Sequence, residues 1–342
     1  MNIAYITEPL AYIGGLGNGV NSQAMRWAKS LRECGCLVEQ VSPWGHYDWG
    51  RYDIIHIFGS NGMWFLTAME ALCKRNPRVI WSPVCDNTDR ACVQRLKSFA
   101  GSGRLRVFSC AYIRRKAIRQ PCRIMVRSNY ERDYLVKAYG AALPKIIKVP
   151  VAMSYGAMEH SEPAKKENFC FHLSSLYQER KNVVRLIRAA RRYGFRLILA
   201  GTKGSTEEFA RIETEIAGCP NIEVLGFLTE EQKIDLYRRA KVFALPSIKE
   251  GVGIAALDAA HFGCRIVITS IGGPKEYFGG MATAVNPFDI DEIGRGIVAG
   301  LACKEPCHEL QAWINRSYSP DMVAKQLMDE YERVLHLPIK KL

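Results

Sequence analysis

Short apolar runs that read as strands alternate with amphipathic helical stretches along most of this chain, and glycine turns follow several of them. That order leaves little choice of fold, because parallel strands need a crossover between them and a parallel sheet needs cover on both faces. Strand signals fall at residues 3–6, 36–41, 53–58, 79–82, 123–127 and 145–149, with helices at 20–34 and around 64–75 and a turn at 83–89. A polar stretch, 154–168, reads as a linker. The pattern then restarts, with strands at 169–173, 197–200, 222–225, 242–245 and 265–269 and helices at 182–193, 206–217 and 230–240. Residues 320–335 close the chain with another helical pattern. The expected architecture is α/β: two Rossmann-like domains facing a central cleft, with domains 1–153 and 169–319, linker 154–168 and tail 320–342.

A length of 342 residues is enough for two separate cores. No apolar run approaches membrane-spanning length. The opening MNIAYITEP lacks a basic leader and a cleavage pattern, so a cytoplasmic location is expected. The twelve cysteines are scattered, and Cys34-x-Cys36 and Cys303-x3-Cys307 find no matching His/Cys cluster, so reduced thiols and no metal are expected. Charge is uneven. Residues 1–150 carry 22 Lys and Arg against 10 Asp and Glu, whereas 151–342 carry 25 against 24. Nine cations crowd 104–132 (among them Arg114, Arg115, Lys116, Arg123 and Arg127) against the single acid Glu131. That density points to an anionic partner. Phe108, Tyr112 and Tyr130 suit insertion at a lipid surface or base stacking equally. No RNA- or DNA-reading motif accompanies them, and nucleic acid is not expected as a partner.

Residues 242–278, VFALPSIKEGVGIAALDAAHFGCRIVITSIGGPKEYF, carry the strongest chemical signal. A buried strand runs into a loop with Glu250, Gly251, Val252 and Gly253, and a small-residue helix starts at Ile254. A second strand leads to Gly272-Gly273 and a second loop carboxylate, Glu276. Glycines let backbone N–H groups approach a ligand, and a helix start adds unpaired donors and a positive dipole end. A phosphate fits there. A carboxylate does not bind phosphate, so sugar hydroxyls are the natural partners of Glu250. Asp258 lies one turn along the helix from Ile254, about 6 Å along its axis and on the same face.

This passage resembles the donor site of the retaining GT-B glycosyltransferases of family 4, whose hallmark is E-x7-E in an EGFG-type loop and helix. Here Glu250-Gly251-Val252-Gly253 is followed by Asp258 in the place of the second glutamate. The resemblance implies that Glu250 contacts the donor sugar and that Asp258 contacts the nucleotide ribose. It further implies that the C-terminal helix crosses back to the first domain. Residues 174–182, SSLYQERKN, fall where the family sets Arg and Lys against the donor diphosphate. Ser174 opens that loop, Lys181 matches the family lysine, and Ser175 stands where the family has arginine, with Arg180 nearby to supply the charge. A departing diphosphate held without a metal needs such cations and backbone donors. Gly14 and Gly15 match the family's glycine loop near the donor phosphates. A dinucleotide-binding reading fails, because G-x-G-x-x-G breaks at Val20 and no ribose-binding acid follows at a strand end. On the acceptor side the family's histidine is absent, and Cys85 and Asp86 stand nearest its place. Cys85 has no neighbouring base to make it a nucleophile. His56 reads as a strand histidine, with acceptor contact as the other reading.

The function implied by the resemblance is retaining, metal-independent transfer of a sugar, of the hexosyltransferase type, with Glu250, Lys181 and Arg180 as the catalytic set. The donor is a nucleotide-sugar and no further cofactor is expected. The acceptor is a glycan or a lipid-linked acceptor, as in cell-envelope polysaccharide biosynthesis, and an anionic membrane surface meets the basic first domain at the inner membrane face. The alternative is a GT-B-fold protein without transferase activity that acts as a binding or partner subunit.

Overall fold

A computed structural model of the chain describes residues 1–7, 19–42, 44–59, 63–102, 107–156, 165–304 and 307–338. It divides into two units, Met1–Ala152 with Pro320–Leu342, and Met153–Ser319.

In chain order the first unit runs β1 (Asn2–Ile6), α1 (Gly19–Glu33), β2 (Leu37–Gln40), β3 (Ile54–Phe58), α2 (Met63–Arg75), β4 (Val79–Ser82) and α3 (Ala91–Lys97). It continues through the hairpin β5 (Gly101–Ser102) and β6 (Val107–Phe108), then α4 (Cys110–Ala117), β7 (Arg123–Val126), α5 (Asn129–Tyr139) and β8 (Ile146–Lys148). The six longer strands form one parallel sheet in the order β2-β1-β3-β4-β7-β8. Every residue of β3 is buried, as a central strand covered on both faces requires. Alternate side chains of β1 enter different cores. Ala4 joins Ile55, Trp81 and Ile124 with residues of α2, α4 and α5, and Ile3 and Tyr5 join Ile54, Phe58, Ile80 and residues of α1.

The second unit runs β9 (Glu167–Leu173), α6 (Val183–Tyr193), β10 (Leu197–Ala200), α7 (Thr206–Ile216), β11 (Ile222–Gly226), α8 (Glu230–Arg239), β12 (Ala240–Leu245) and α9 (Ile254–His261). β13 (Arg265–Thr269), β14 (Thr283–Val285), α10 (Ile290–Ala302) and α11 (His308–Tyr318) complete it. Its sheet is also parallel, in the order β11-β10-β9-β12-β13-β14. Helices α7 and α8 begin with reciprocal capping boxes, Ser205 with Glu208 and Thr229 with Gln232, which satisfy donors that a helix start leaves free.

The last helix, α12 (Pro320–Leu335), belongs to the first unit, where Val323, Leu327, Tyr331 and Val334 enter the core that holds Ile3 and Tyr5. Within the stretch read from sequence as a linker, Glu167 and Asn168 are already in β9 and Ser154 is bonded to α9. Residues 157–164 of that stretch lie outside the described residues. β7 ends at Val126 because Arg127 leaves the ladder to meet two carboxylates.

Candidate functional site

The second sheet reverses its direction of growth at the β9/β12 pair, since β10 and β11 lie on one side and β13 and β14 on the other. Open parallel sheets bind ligands outside the carboxyl ends of the strands at such a reversal. Ser174 follows β9, and the loop carrying Glu250 follows β12.

Lys181 and Glu250, 69 residues apart in sequence, meet there, with Nζ donating to Oε2 at 2.6 Å. Both side chains are largely buried, at 13% and 11% exposure. Ser247 Oγ donates to the same Glu250 oxygen at 3.3 Å. The two loops are laced together by backbone and side-chain bonds. Ile248 N–H donates to Arg180 O at 2.8 Å, and Asn182 Nδ2 donates to Pro246 O at 2.9 Å and Pro287 O at 2.6 Å. Asn182 adopts the left-handed conformation, φ 62°, which asparagine tolerates better than most residues. The Arg180 guanidinium is exposed and bonds Gln178 Oε1 at 2.9 Å.

Gly251, Val252 and Gly253 are buried, and Gly253 precedes α9 with φ 78°. No side chain caps this helix start, which begins at Ile254, so its amides offer the donors and partial positive charge that suit an anion. Ser174 is oriented by a residue that sequence reading missed. His172 is fully buried in β9, with Nδ1 2.7 Å from Ala244 O and Nε2 2.7 Å from Ser174 Oγ. A carbonyl only accepts, so Nδ1 carries the hydrogen and Nε2 accepts from the serine hydroxyl. Burial lowers the His172 pKa from 6.5 to about 4, which keeps the ring neutral. Gly201, after β10, was also missed, and a Cβ there would lie 1.8 Å from Ser174 O.

Asp258 sits on α9 at 6% exposure, and its two oxygens accept from Ser154 N at 2.6 Å and Ser154 Oγ at 2.5 Å. Its hydrogen bonds therefore go in part to the chain itself. Glu276 lies half-buried in the 3-10 turn Pro274–Phe278, its N–H bonded to Gly273 O at 3.1 Å. Burial first, then the Glu276 charge, pushes the Tyr318 hydroxyl up to about 12.

In the first unit, Gly14 and Gly15 lie outside the described residues. His56 is fully buried, with Nδ1 2.5 Å from Tyr331 Oη and Nε2 2.8 Å from Ser82 Oγ. Both ring nitrogens are thus engaged inside the unit. Cys85 is buried, and burial raises its thiol pKa, the reverse of what a nucleophilic thiolate needs. Its N–H donates to Glu131 Oε1 at 2.5 Å. Asp86 is half-buried and accepts from Arg127 Nη2 at 2.6 Å, and Arg127 also bonds Glu131. Several of the clustered cations are therefore structural. Arg127 is buried in this network, Arg114 Nη1 reaches Cys85 Sγ at 3.4 Å, and Arg132 pairs with Asp133. Arg104 and Arg106 lie outside the described residues. Among the described residues no His, Cys, Asp and Glu side chains gather into a metal-binding group.

Residues 157–317 match the family model described as glycosyl transferases group 1. That match spans nearly all of the second unit. Over 195 residues the chain is 25% identical to the O-antigen chain mannosyltransferase B of Escherichia coli, covering 52% of this chain and 51% of that protein. The serotype-specific mannosyltransferase WbdA of Escherichia coli is 33% identical over 87 residues, covering 25% of this chain and 11% of that protein. The chain thus spans about half or less of these two relatives. Among solved structures, the sucrose-phosphate synthase from Thermosynechococcus elongatus superposes with a TM-score of 0.74 at 14% identity, covering 98% of this chain and 99% of that one. Anabaena Alr3699/HepE in complex with UDP and glucose gives 0.68 at 14% identity, covering 97% of this chain and 100% of that one. At such identities the likeness shows the fold, and the fold is GT-B. The Lys181–Glu250 pair and the uncapped start of α9 both lie within the matched residues.

Proposed function

We propose that the chain is a retaining, metal-independent glycosyltransferase that moves a hexosyl group from a nucleotide-sugar to a hydroxyl of a glycan or lipid-linked acceptor, in cell-envelope polysaccharide biosynthesis. The observation that carries this reading is the Lys181–Glu250 pair at the sheet reversal, beside the uncapped start of α9. The cation is placed to meet a departing diphosphate, with Arg180 at the mouth of the loop. The Gly251–Ile254 amides add dipoles that need no reorganisation during transfer. The carboxylate orients sugar hydroxyls. Asp258 takes the ribose in exchange for its bonds to Ser154, and Glu276 steadies the second glycine loop. The mannosyltransferases among the relatives favour a mannosyl donor, and the HepE structure with UDP and glucose supports a nucleotide-sugar in this fold. A lipid-linked acceptor brings the basic first unit to an anionic membrane surface at the cytoplasmic face. Among the described residues no helix is long and apolar enough to cross a membrane.

Calorimetric titration with UDP, GDP and ADP in the presence of EDTA tests the site. Selective binding of one diphosphate, weakened by Lys181→Ala, is expected. Absence of binding to all three would sink the donor site, and binding without any sugar transfer to glycan acceptors would favour a partner subunit instead.

A further inference from the structure

Helix α3 and the hairpin after it carry none of the candidate site residues. The inner side of α3 is held by Gln94, which donates to Tyr139 Oη at 3.1 Å, and by fully buried Ser98 just beyond its end. On the outer side Val93, Leu96 and Phe99 recur every third residue, the spacing that lines up one helical stripe. Leu96 is 75% exposed and Phe99 54%. Val107 on β6 is 61% exposed, and Ser109 Oγ donates to Lys97 O at 3.1 Å, which brings the hairpin against the end of the helix. No residue of α3 is buried.

Cations border this stripe. Arg90, Arg95, Lys97 and Lys116 are exposed, and the Arg115 guanidinium lies 3.6 Å from the centroid of the Phe99 ring. Residues 90–119 contain nine Lys and Arg and no Asp or Glu. Exposed apolar side chains set among charges of one sign suit an interface that is itself anionic and has an apolar interior. We infer that the α3 stripe and Val107 dock on an anionic lipid bilayer, with the apolar side chains at the acyl boundary and the cations on headgroup phosphates. The inference rests on the proposed membrane partner and assigns it a face. A second copy of the chain meeting this face with its own would set cations against cations. Single-stranded nucleic acid needs open aromatic faces for stacking, whereas three of the four apolar side chains are aliphatic and Phe99 already carries Arg115.

The test uses the full chain and co-sedimentation with vesicles of phosphatidylcholine and phosphatidylglycerol in a two-to-one ratio, against phosphatidylcholine alone. Binding to the mixed vesicles only, released by salt, is expected. Lys97→Gln should weaken it roughly fivefold, and Leu96→Ser with Phe99→Ser at least about tenfold. Leu37→Ser and Leu143→Ser, equally exposed elsewhere on the unit, should leave it unchanged. Thermal melts that match the wild type verify folding of each variant. Wild-type binding that survives in the Leu96→Ser, Phe99→Ser variant overturns the assignment of the face. No vesicle binding overturns both the face and the membrane partner, while nucleoside diphosphate titration still tests the transfer site independently. A dimer dispersed by the same double variant, or tighter binding to an oligonucleotide than to vesicles, overturns the inference in favour of that occupant.

Discussion

His56 and His172 each occupy a fully buried position with both ring nitrogens bonded, one in each sheet. Burial lowers them from 6.5 to about 3 and about 4 respectively. The unfolded chain takes up these protons near pH 6.5 and the folded chain does not, so their contribution to stability is complete above that value. It is lost as pH falls from 6.5 to about 4 for His172 and to about 3 for His56, at up to about 1.4 kcal/mol per pH unit for each. Urea unfolding at pH 7 and pH 5 should show the loss, and His56→Gln should flatten it for the first unit. An unchanged slope would refute the burial account. At the site, Lys181→Ala should lower turnover by about 10²–10³-fold and also lower the melting temperature, because it leaves the Glu250 carboxylate, 11% exposed, without its cation. Single-turnover assays with saturating donor separate slower transfer from weaker binding. Gly201→Ala should be far more damaging to the fold than to any contact with ligand, because a Cβ at 1.8 Å from Ser174 O must displace backbone. A loss of about 3 kcal/mol or more is expected, read as a lowered urea midpoint. Glu250 was legible as a lone carboxylate beside glycines in the loop after a strand, and Lys181 only through its match to the family lysine. The Ser154–Asp258 bonds were not, because 104 residues separate the partners and only the folded chain brings them together.

Among the elements, the strands other than β5, β6 and β14 and the helices α1, α2, α6 to α9 and α12 were readable, whereas α3, α4, α5, α10 and α11 were not. Helices α3 and α4 and the β5–β6 hairpin fall in or beside the stretch whose composition suggested a charged surface; α3 starts without a side-chain cap, while Ser109 caps α4 by accepting from Tyr112 N–H. Charge composition also concealed where individual arginines go. Arg127 is buried between Asp86 and Glu131, and the Glu131 carboxylate, 1% exposed, accepts from Cys85 N–H, Arg127 N–H and the Arg127 guanidinium. This network ties the loop after β4 to the start of α5, where Ser128 Oγ also caps Glu131 N–H at 3.1 Å. Removing one charge from such a pair leaves the other desolvated without its partner. Glu131→Gln should therefore destabilise the first unit by about 3 kcal/mol, measured by denaturant unfolding. A change below about 1 kcal/mol would mean that Asp86 alone compensates Arg127.

At the scale of the molecule, each unit has its own parallel sheet, yet the first is discontinuous in sequence, because the chain leaves it after Ala152 and returns at Pro320. The restart of the strand–helix pattern after residue 168 revealed two sheets, since each must be covered by helices that follow its own strands. The destination of the last helix came from family resemblance, because an amphipathic stripe states that a helix packs and not on what. The structure supplies the surface. Val323, Leu327 and Val334 join the core with Ile3, Trp27 and Leu31, and Tyr331 Oη bonds both Tyr5 Oη at 2.9 Å and His56 Nδ1. Removing residues 320–342 would expose that apolar face of the first unit and leave the His56 ring with one partner fewer. The second unit keeps every strand of its sheet and the Lys181–Glu250 pair. The truncated chain should therefore lose the cooperative unfolding of its first unit at ordinary temperature and keep that of its second, seen as one calorimetric transition in place of two or of a single larger one. The milder Tyr331→Phe removes only the hydroxyl at the His56 and Tyr5 bonds, with an expected cost of about 1–3 kcal/mol. If truncation instead abolished both transitions, the two units would fold as one cooperative body. If it left both intact, the core placement of α12 would be refuted.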